Sequence, residues 1–178
     1  MNKRKNMENI FQNQIIRRTL KYVFAILVTA SLLLNLFTFG LPIVKYYGSS
    51  MSPTLEDEQI LVVNKMLEIN SGDIIAFYYN NKVIVRRVIA TGNNQVTIDV
   101  FGNVLVNGQT VDEPYIENKN LGQCNLDFPY NVPANSYFVL GDNRDVAMDS
   151  RLSEIGTVTE DRLIGKVIFS LYPFGKVE

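Results

Sequence analysis

Hydrophobic positions divide this 178-residue chain into two regimes. Between Lys21 and Lys45 no residue is charged, and Tyr22–Val44 supplies 23 residues, most of them apolar. The polar exceptions Thr29, Ser31, Asn35 and Thr38 are neutral. A helix crossing a bilayer needs roughly 20 such residues, so the run is read as a membrane span. A cleaved signal peptide has an apolar core of only about 7–15 residues, and Gly40-Leu41-Pro42 fits a cleavage site poorly. Pro42 is the expected stop of the helix.

Beyond Ile43 the period changes from helical to alternating. Short runs rich in Val, Ile, Phe and Tyr are punctuated by Gly, Asn, Asp and Pro. The pattern predicts strands at Gln59–Asn64, Asp73–Tyr79, Lys82–Ala90, Gln95–Asp99, Val104–Val106, Ser136–Leu140 and Leu163–Tyr172. Turns are expected at Asn80-Asn81, Gly92-Asn93-Asn94, Phe101-Gly102-Asn103 and Asn107-Gly108, short Asn- or Gly-rich links of the kind tight hairpins require. No helical period persists there. The expected architecture is mainly antiparallel β behind one N-terminal helix: a basic N-terminus at 1–21, a transmembrane helix at 22–44 and a β-rich domain at 45–178.

Charge adds orientation. Residues 1–21 hold six Lys/Arg against one acid, Glu8, while the rest of the chain carries 11 basic and 17 acidic residues. The positive-inside rule places residues 1–21 in the cytoplasm and the domain outside it. An acidic body without a basic stripe argues against nucleic acid as a partner. The single cysteine, Cys124, excludes an intrachain disulfide. The sequence has no histidine, which excludes Ser-His-Asp and Cys-His catalysis and the HExxH zinc motif.

Two stretches remain as candidate chemistry. Gly48-Ser49-Ser50-Met51-Ser52-Pro53-Thr54-Leu55 puts Ser50 on a glycine-opened, proline-punctuated turn five residues past Lys45. Taken alone it reads better as a linker leaving the membrane, where Ser and Gly are common. Far along the chain, Tyr137-Phe138-Val139-Leu140 feeds Gly141-Asp142-Asn143-Arg144-Asp145 and then Asp149-Ser150-Arg151. Bidentate Arg–carboxylate pairs can hold such a loop rigid. The alternatives are a solvated turn with surface ion pairs and a metal site, although Asp142, Asp145 and Asp149 do not follow calcium-loop spacing.

Together these stretches resemble the type I signal peptidases, membrane-bound serine proteases of the Ser/Lys kind. Gly48 to Leu55 resembles the nucleophile box, and Gly72-Asp73-Ile74-Ile75-Ala76-Phe77 the next strand box. Arg86-Arg87-Val88-Ile89 lies where the family has Lys-Arg-Val-Ile. Asn107-Gly108 with Asp112-Glu113-Pro114-Tyr115 resembles the following hairpin. Gly141 to Arg151 resembles the last box, and Gly165-Lys166-Val167 with Tyr172-Pro173-Phe174 the terminal strand. Compact size without a second span resembles Gram-positive members.

The resemblance implies an exported β domain that removes signal peptides from preproteins at the outer surface of the plasma membrane. It implies Ser50 as nucleophile, its backbone N–H helping the oxyanion, and a neutral lysine as general base. Asp142, Arg144, Asp149 and Arg151 would hold the site loop. The substrate would add as an extended strand, with Leu55 and Val85 lining shallow pockets. No metal or organic cofactor is implied. Exported preproteins and the lipid bilayer are the implied partners.

Two positions depart from that pattern. Arg86 occupies the position of the lysine base, and Ala147 that of the serine supporting it. Arginine keeps its proton and cannot relieve Ser50 of its own. Lys82 would share the face of Arg86 but lie about 13 Å along the strand. The expectation is a signal peptidase that is weak or inactive as written. The alternative is a non-catalytic relative that binds exported precursors, for example during assembly of surface structures.

Overall fold

The computed structural model describes residues 2–35, 38 and 40–177. It comprises two compact units, Met1–Gly40 and Leu41–Glu178. The first contains helix α1, Asn2–Asn35, along which Ile16, Leu20, Phe24, Leu27 and Leu33 are exposed. Among the described residues no helix is long and apolar enough to cross a membrane. The uncharged part of α1, Tyr22–Asn35, is shorter than the roughly 20 residues a span requires. Leu36, Phe37 and Phe39, which lengthen the expected span, lie outside the described residues. The expected end of the span needs correcting, because Ile43 and Val44 lie past Pro42 and pair as a strand instead.

The second unit is antiparallel β throughout. Its strands are β1 (Ile43–Lys45), β2 (Ile60–Asn64), β3 (Ile74–Tyr79), β4 (Lys82–Thr91), β5 (Gln95–Ile98), β6 (Val104–Val106), β7 (Gln109–Thr110), β8 (Tyr130–Asn131), β9 (Ser136–Leu140), β10 (Val158–Thr159), β11 (Leu163–Tyr172) and β12 (Phe174–Lys176). The large sheet runs β1-β2-β11-β3-β4-β9-β10, with β12 also on β11, and the small one runs β7-β6-β5-β8. All seven predicted strands are present, within a residue at either end. The five unpredicted ones have two or three residues each, too few for a period-2 pattern to register. Asn80 and Asn81 both take positive φ, +45° and +59°, and close β3 onto β4 with Tyr79 opposite Lys82. Asparagine tolerates that region, which is why the pair makes a hairpin turn.

Both faces of the large sheet are covered. On β3 the alternation is visible: Ile74 and Ala76 join one apolar cluster with Leu61, Val63 and Val85, while Ile75 and Phe77 join another with Val88, Val139 and Val158. A third cluster, built on Ile89, Ala90, Val96, Phe138 and Leu140, lies between the small sheet and the ends of β4 and β9. Met51 and Leu55, from the loop after β1, are fully enclosed in the first cluster. They pin a loop that otherwise carries little apolar surface. Met51→Ala is expected to lower unfolding free energy by about 2–5 kcal/mol, the usual cost of emptying a core methionine site. Met148→Ala, at a side chain 52% exposed, should change it by no more than about 0.5 kcal/mol. Urea unfolding of the two variants makes the comparison.

Candidate active site

Strand β4 carries two consecutive buried arginines, and successive side chains on a strand point to opposite faces. Arg86 and Arg87 are 5% and 4% exposed, and they meet different surroundings. Arg87 grips Asp142 with two bonds, Nε to Oδ1 at 2.9 Å and Nη2 to Oδ2 at 2.7 Å. Its Nη1 donates to the Gly72 carbonyl at 2.9 Å, and its guanidinium lies 3.9 Å from the Tyr115 ring centre. The Thr54 hydroxyl donates to Asp142 Oδ2. One buried ion pair thus ties the 48–55 loop, the turn leading into β3, strand β4 and the turn after β9.

That turn is locked by two further pairs. Arg151 holds Asp149 through Nε at 2.8 Å and Nη2 at 2.9 Å, and the Asp149 carboxylate also accepts the Gly141 N–H at 2.9 Å. Arg144 donates to Glu113 at 2.5 Å and to the Gly141 carbonyl at 3.1 Å. All six charged groups are buried. The four support residues named from the sequence are therefore together, but as halves of pairs. Arg87 and Glu113, the partners of Asp142 and Arg144, were not singled out, because they sit 55 and 31 residues away with no local pattern joining them.

Ser50 lies where this knot meets the nucleophile-like loop. Asn143 N–H donates to the Ser50 carbonyl at 3.1 Å. A Cβ at Gly141 would stand 2.6 Å from that carbonyl and collide with the Ala147 methyl, so only glycine allows the two loops this approach. Arg86 Nη1 donates to Ser50 Oγ at 2.8 Å. The same guanidinium donates to the Val85 carbonyl at 2.6 Å and, through Nε, to the Met148 carbonyl at 2.9 Å. Burial pushes the Arg86 guanidinium below its ordinary value, with Asp149 and Tyr46 opposing. It stays protonated at any working pH.

Tyr46 was missed from the sequence. Its hydroxyl is 3.2 Å from Ser50 Oγ and accepts the Met51 N–H at 2.9 Å. A tyrosine four residues ahead of a serine carries no signal until β1 and the loop bring them together. Ala147 is buried against Gly141, and its methyl side chain offers Arg86 no hydrogen bond. Leu55 and Val85 are 1% and 2% exposed and belong to the first core cluster beneath the loop. Lys82 is exposed at the far end of β4.

Residues 16–172 match the family model described as Signal peptidase, peptidase S26. The chain belongs to that family. It is 39% identical over 164 residues to signal peptidase I of Bacillus amyloliquefaciens, covering 84% of this chain and 82% of that protein. It is 38% identical to signal peptidase I T of Bacillus subtilis strain 168 over 85% and 83% of the two chains. Signal peptidase IB of Staphylococcus aureus matches at 35% over 79% and 84%. A crystal structure of a signal peptidase I from Enterococcus faecalis V583 aligns at 27% identity with a TM-score of 0.49, over 57% of this chain and 98% of that one.

The Arg87–Asp142 pair sets a stability test. Removing one partner strands a buried charge, so Asp142→Ala and Arg87→Met should each cost about 3–5 kcal/mol in denaturant unfolding. The double variant should cost clearly less than the sum, because neither charge is then left alone.

Proposed function

We propose that this protein is a type I signal peptidase in fold and substrate, a serine endopeptidase site for exported preproteins that lacks its base. Ser50 is the nucleophile and Arg86 stands in the place of the base. The observation that carries this reading is the 2.8 Å bond from Arg86 Nη1 to Ser50 Oγ. A side chain at position 86 reaches the hydroxyl as a base must, but it reaches it as a donor. General-base help is worth about 10²–10⁴-fold, and a guanidinium cannot give it. Asp142, Arg144, Asp149 and Arg151, with Arg87 and Glu113, hold the loops in place and are positioning residues.

Strand β4 pairs with β9 only from Arg87 onward, leaving Lys82–Arg86 without a partner on that edge. This supports an extended peptide adding there as a strand. Leu55 and Val85 are assigned to the pocket floor for small side chains, since their burial lets them set depth but not rim. The uncharged sequence 22–42 behind six basic residues supports a single-pass anchor, with 1–21 cytoplasmic and the domain from Ile43 onward extracytoplasmic. The bilayer is then a partner, and the acidic domain gives nucleic acid no footing.

The bond that blocks the base role also favours a second reading, a protein that binds exported precursors without cutting them. Cleavage of a signal-peptide-bearing precursor by the detergent-solubilised full chain separates the two. Arg86→Lys is expected to cut about 10²–10⁴-fold faster than the unmodified chain, and Arg86→Lys/Ser50→Ala not at all. If the unmodified chain already cuts with a Ser50-dependent rate, Arg86 does not disarm it. Lys82→Ala then tests the next base. Binding by all three chains without cleavage establishes the second reading.

A further inference from the structure

We infer that the Ser50–Arg86 site is a receptor for the terminal carboxylate of a peptide ending in a small residue, the chemical form a signal peptide has once it is cut. The inference rests on the peptide-groove reading above and adds the charged end of the ligand to it.

The first ground is an uncompensated cation. Arg86 is 5% exposed, yet its hydrogen bonds go to neutral acceptors: the Met148 and Val85 carbonyls and the Ser50 hydroxyl. Among the described residues no ion pair includes Arg86. The nearby carboxylates are taken, Asp142 by Arg87 and Asp149 by Arg151, each with two bonds. A charge removed from water is costly unless it is paired. The other three buried arginines of this region, Arg87, Arg144 and Arg151, each have a carboxylate partner.

The second ground is an unspent hydroxyl proton. Tyr46 and Ser50 have two hydroxyl protons between them, and one O–H can point at the other oxygen. Two of the three lone pairs then left on these oxygens accept from Arg86 Nη1 and the Met51 N–H. Whichever way the Tyr46–Ser50 bond runs, one hydroxyl proton finds no acceptor within the trio. A spare O–H beside a guanidinium with no carboxylate partner leaves a place for an acceptor that carries negative charge. A carboxylate supplies both, and charge-assisted bonds of this kind are about twice as strong as neutral ones.

The third ground is place. Ser50 is partly exposed and lies beside the β4 edge left open before Arg87. A peptide lying along that edge and ending at Ser50 brings its last carboxylate to Arg86. A lysine held neutral at position 86 would have no such hold on the product. The arginine changes the site from one that releases an acid to one that keeps it.

The test is fluorescence anisotropy on the full chain in detergent, with labelled peptides whose last three residues are Ala-Leu-Ala. The free acid is expected to bind at least about 10-fold tighter than the C-terminal amide, about 1.4 kcal/mol. Arg86→Gln should abolish the difference, its fold checked by thermal unfolding. The acid–amide comparison on the unmodified chain stands even if that variant does not fold. Equal binding of acid and amide overturns the inference while leaving the groove reading intact. Binding of neither peptide removes both. An amidated peptide with aspartate as its last residue that binds as tightly as the free acid overturns the terminal-carboxylate claim. So does an Arg86→Gln protein that keeps the acid preference.

Discussion

A guanidinium and a carboxylate enclosed in a protein are tolerable only when they meet squarely, because each loses several kcal/mol of hydration. Arg87 and Asp142 meet with two parallel bonds, both side chains at 5% exposure or less. They also contact Thr54, the Gly72 carbonyl and the Tyr115 ring. Four segments that the sequence keeps far apart are therefore fixed relative to one another by a single pair. If Asp142 moved, Arg87 would lose its charge partner and Thr54 its acceptor. The 48–55 loop would then be held mainly by Met51 and Leu55.

The position of Ser50 follows from this constraint. Asp142 lies between Gly141 and Asn143, and both neighbours touch the Ser50 carbonyl side of the loop. Gly141 gives it room, and Asn143 donates a hydrogen bond to it. The pairs Arg151–Asp149 and Arg144–Glu113 then keep Gly141 itself from moving, since Asp149 accepts its N–H and Arg144 donates to its carbonyl. The polar knot is thus a mould for one serine. Breaking any buried pair is expected to disturb the site through geometry and not through chemistry.

Much of this was legible in the sequence. Strands long enough to alternate, such as Ile74–Tyr79 and Leu163–Tyr172, declared themselves by pattern, and the Asn80-Asn81 hairpin by its turn chemistry. The Asp142–Arg151 stretch stood out because charged residues crowd there directly after an apolar strand. What stayed hidden was whatever depends on distant partners. Glu113 looked like part of a hairpin, and Arg87 like the second half of a basic dipeptide. Tyr46 is placed beside Ser50 only by the pairing of β1 with β2. Strand β1 was invisible for a different reason: three residues at the end of a long apolar run read as more of that run.

Under the proposed reading, lysine and arginine at position 86 are alike in charge and not in function, and the surroundings supply the physical reason. Desolvation acts on any cation there. An ammonium responds by shedding its proton, which makes it a base. A guanidinium starts so high that the same burial lowers its value without bringing neutrality within reach. It must instead place its planar array of N–H groups on acceptors: Nε meets the Met148 carbonyl, and Nη1 meets the Val85 carbonyl and Ser50 Oγ. These contacts hold the guanidinium against Ser50 Oγ and occupy one of its lone pairs. A pocket that drives a lysine toward neutrality therefore leaves an arginine as a fixed positive charge beside the Ser50 hydroxyl.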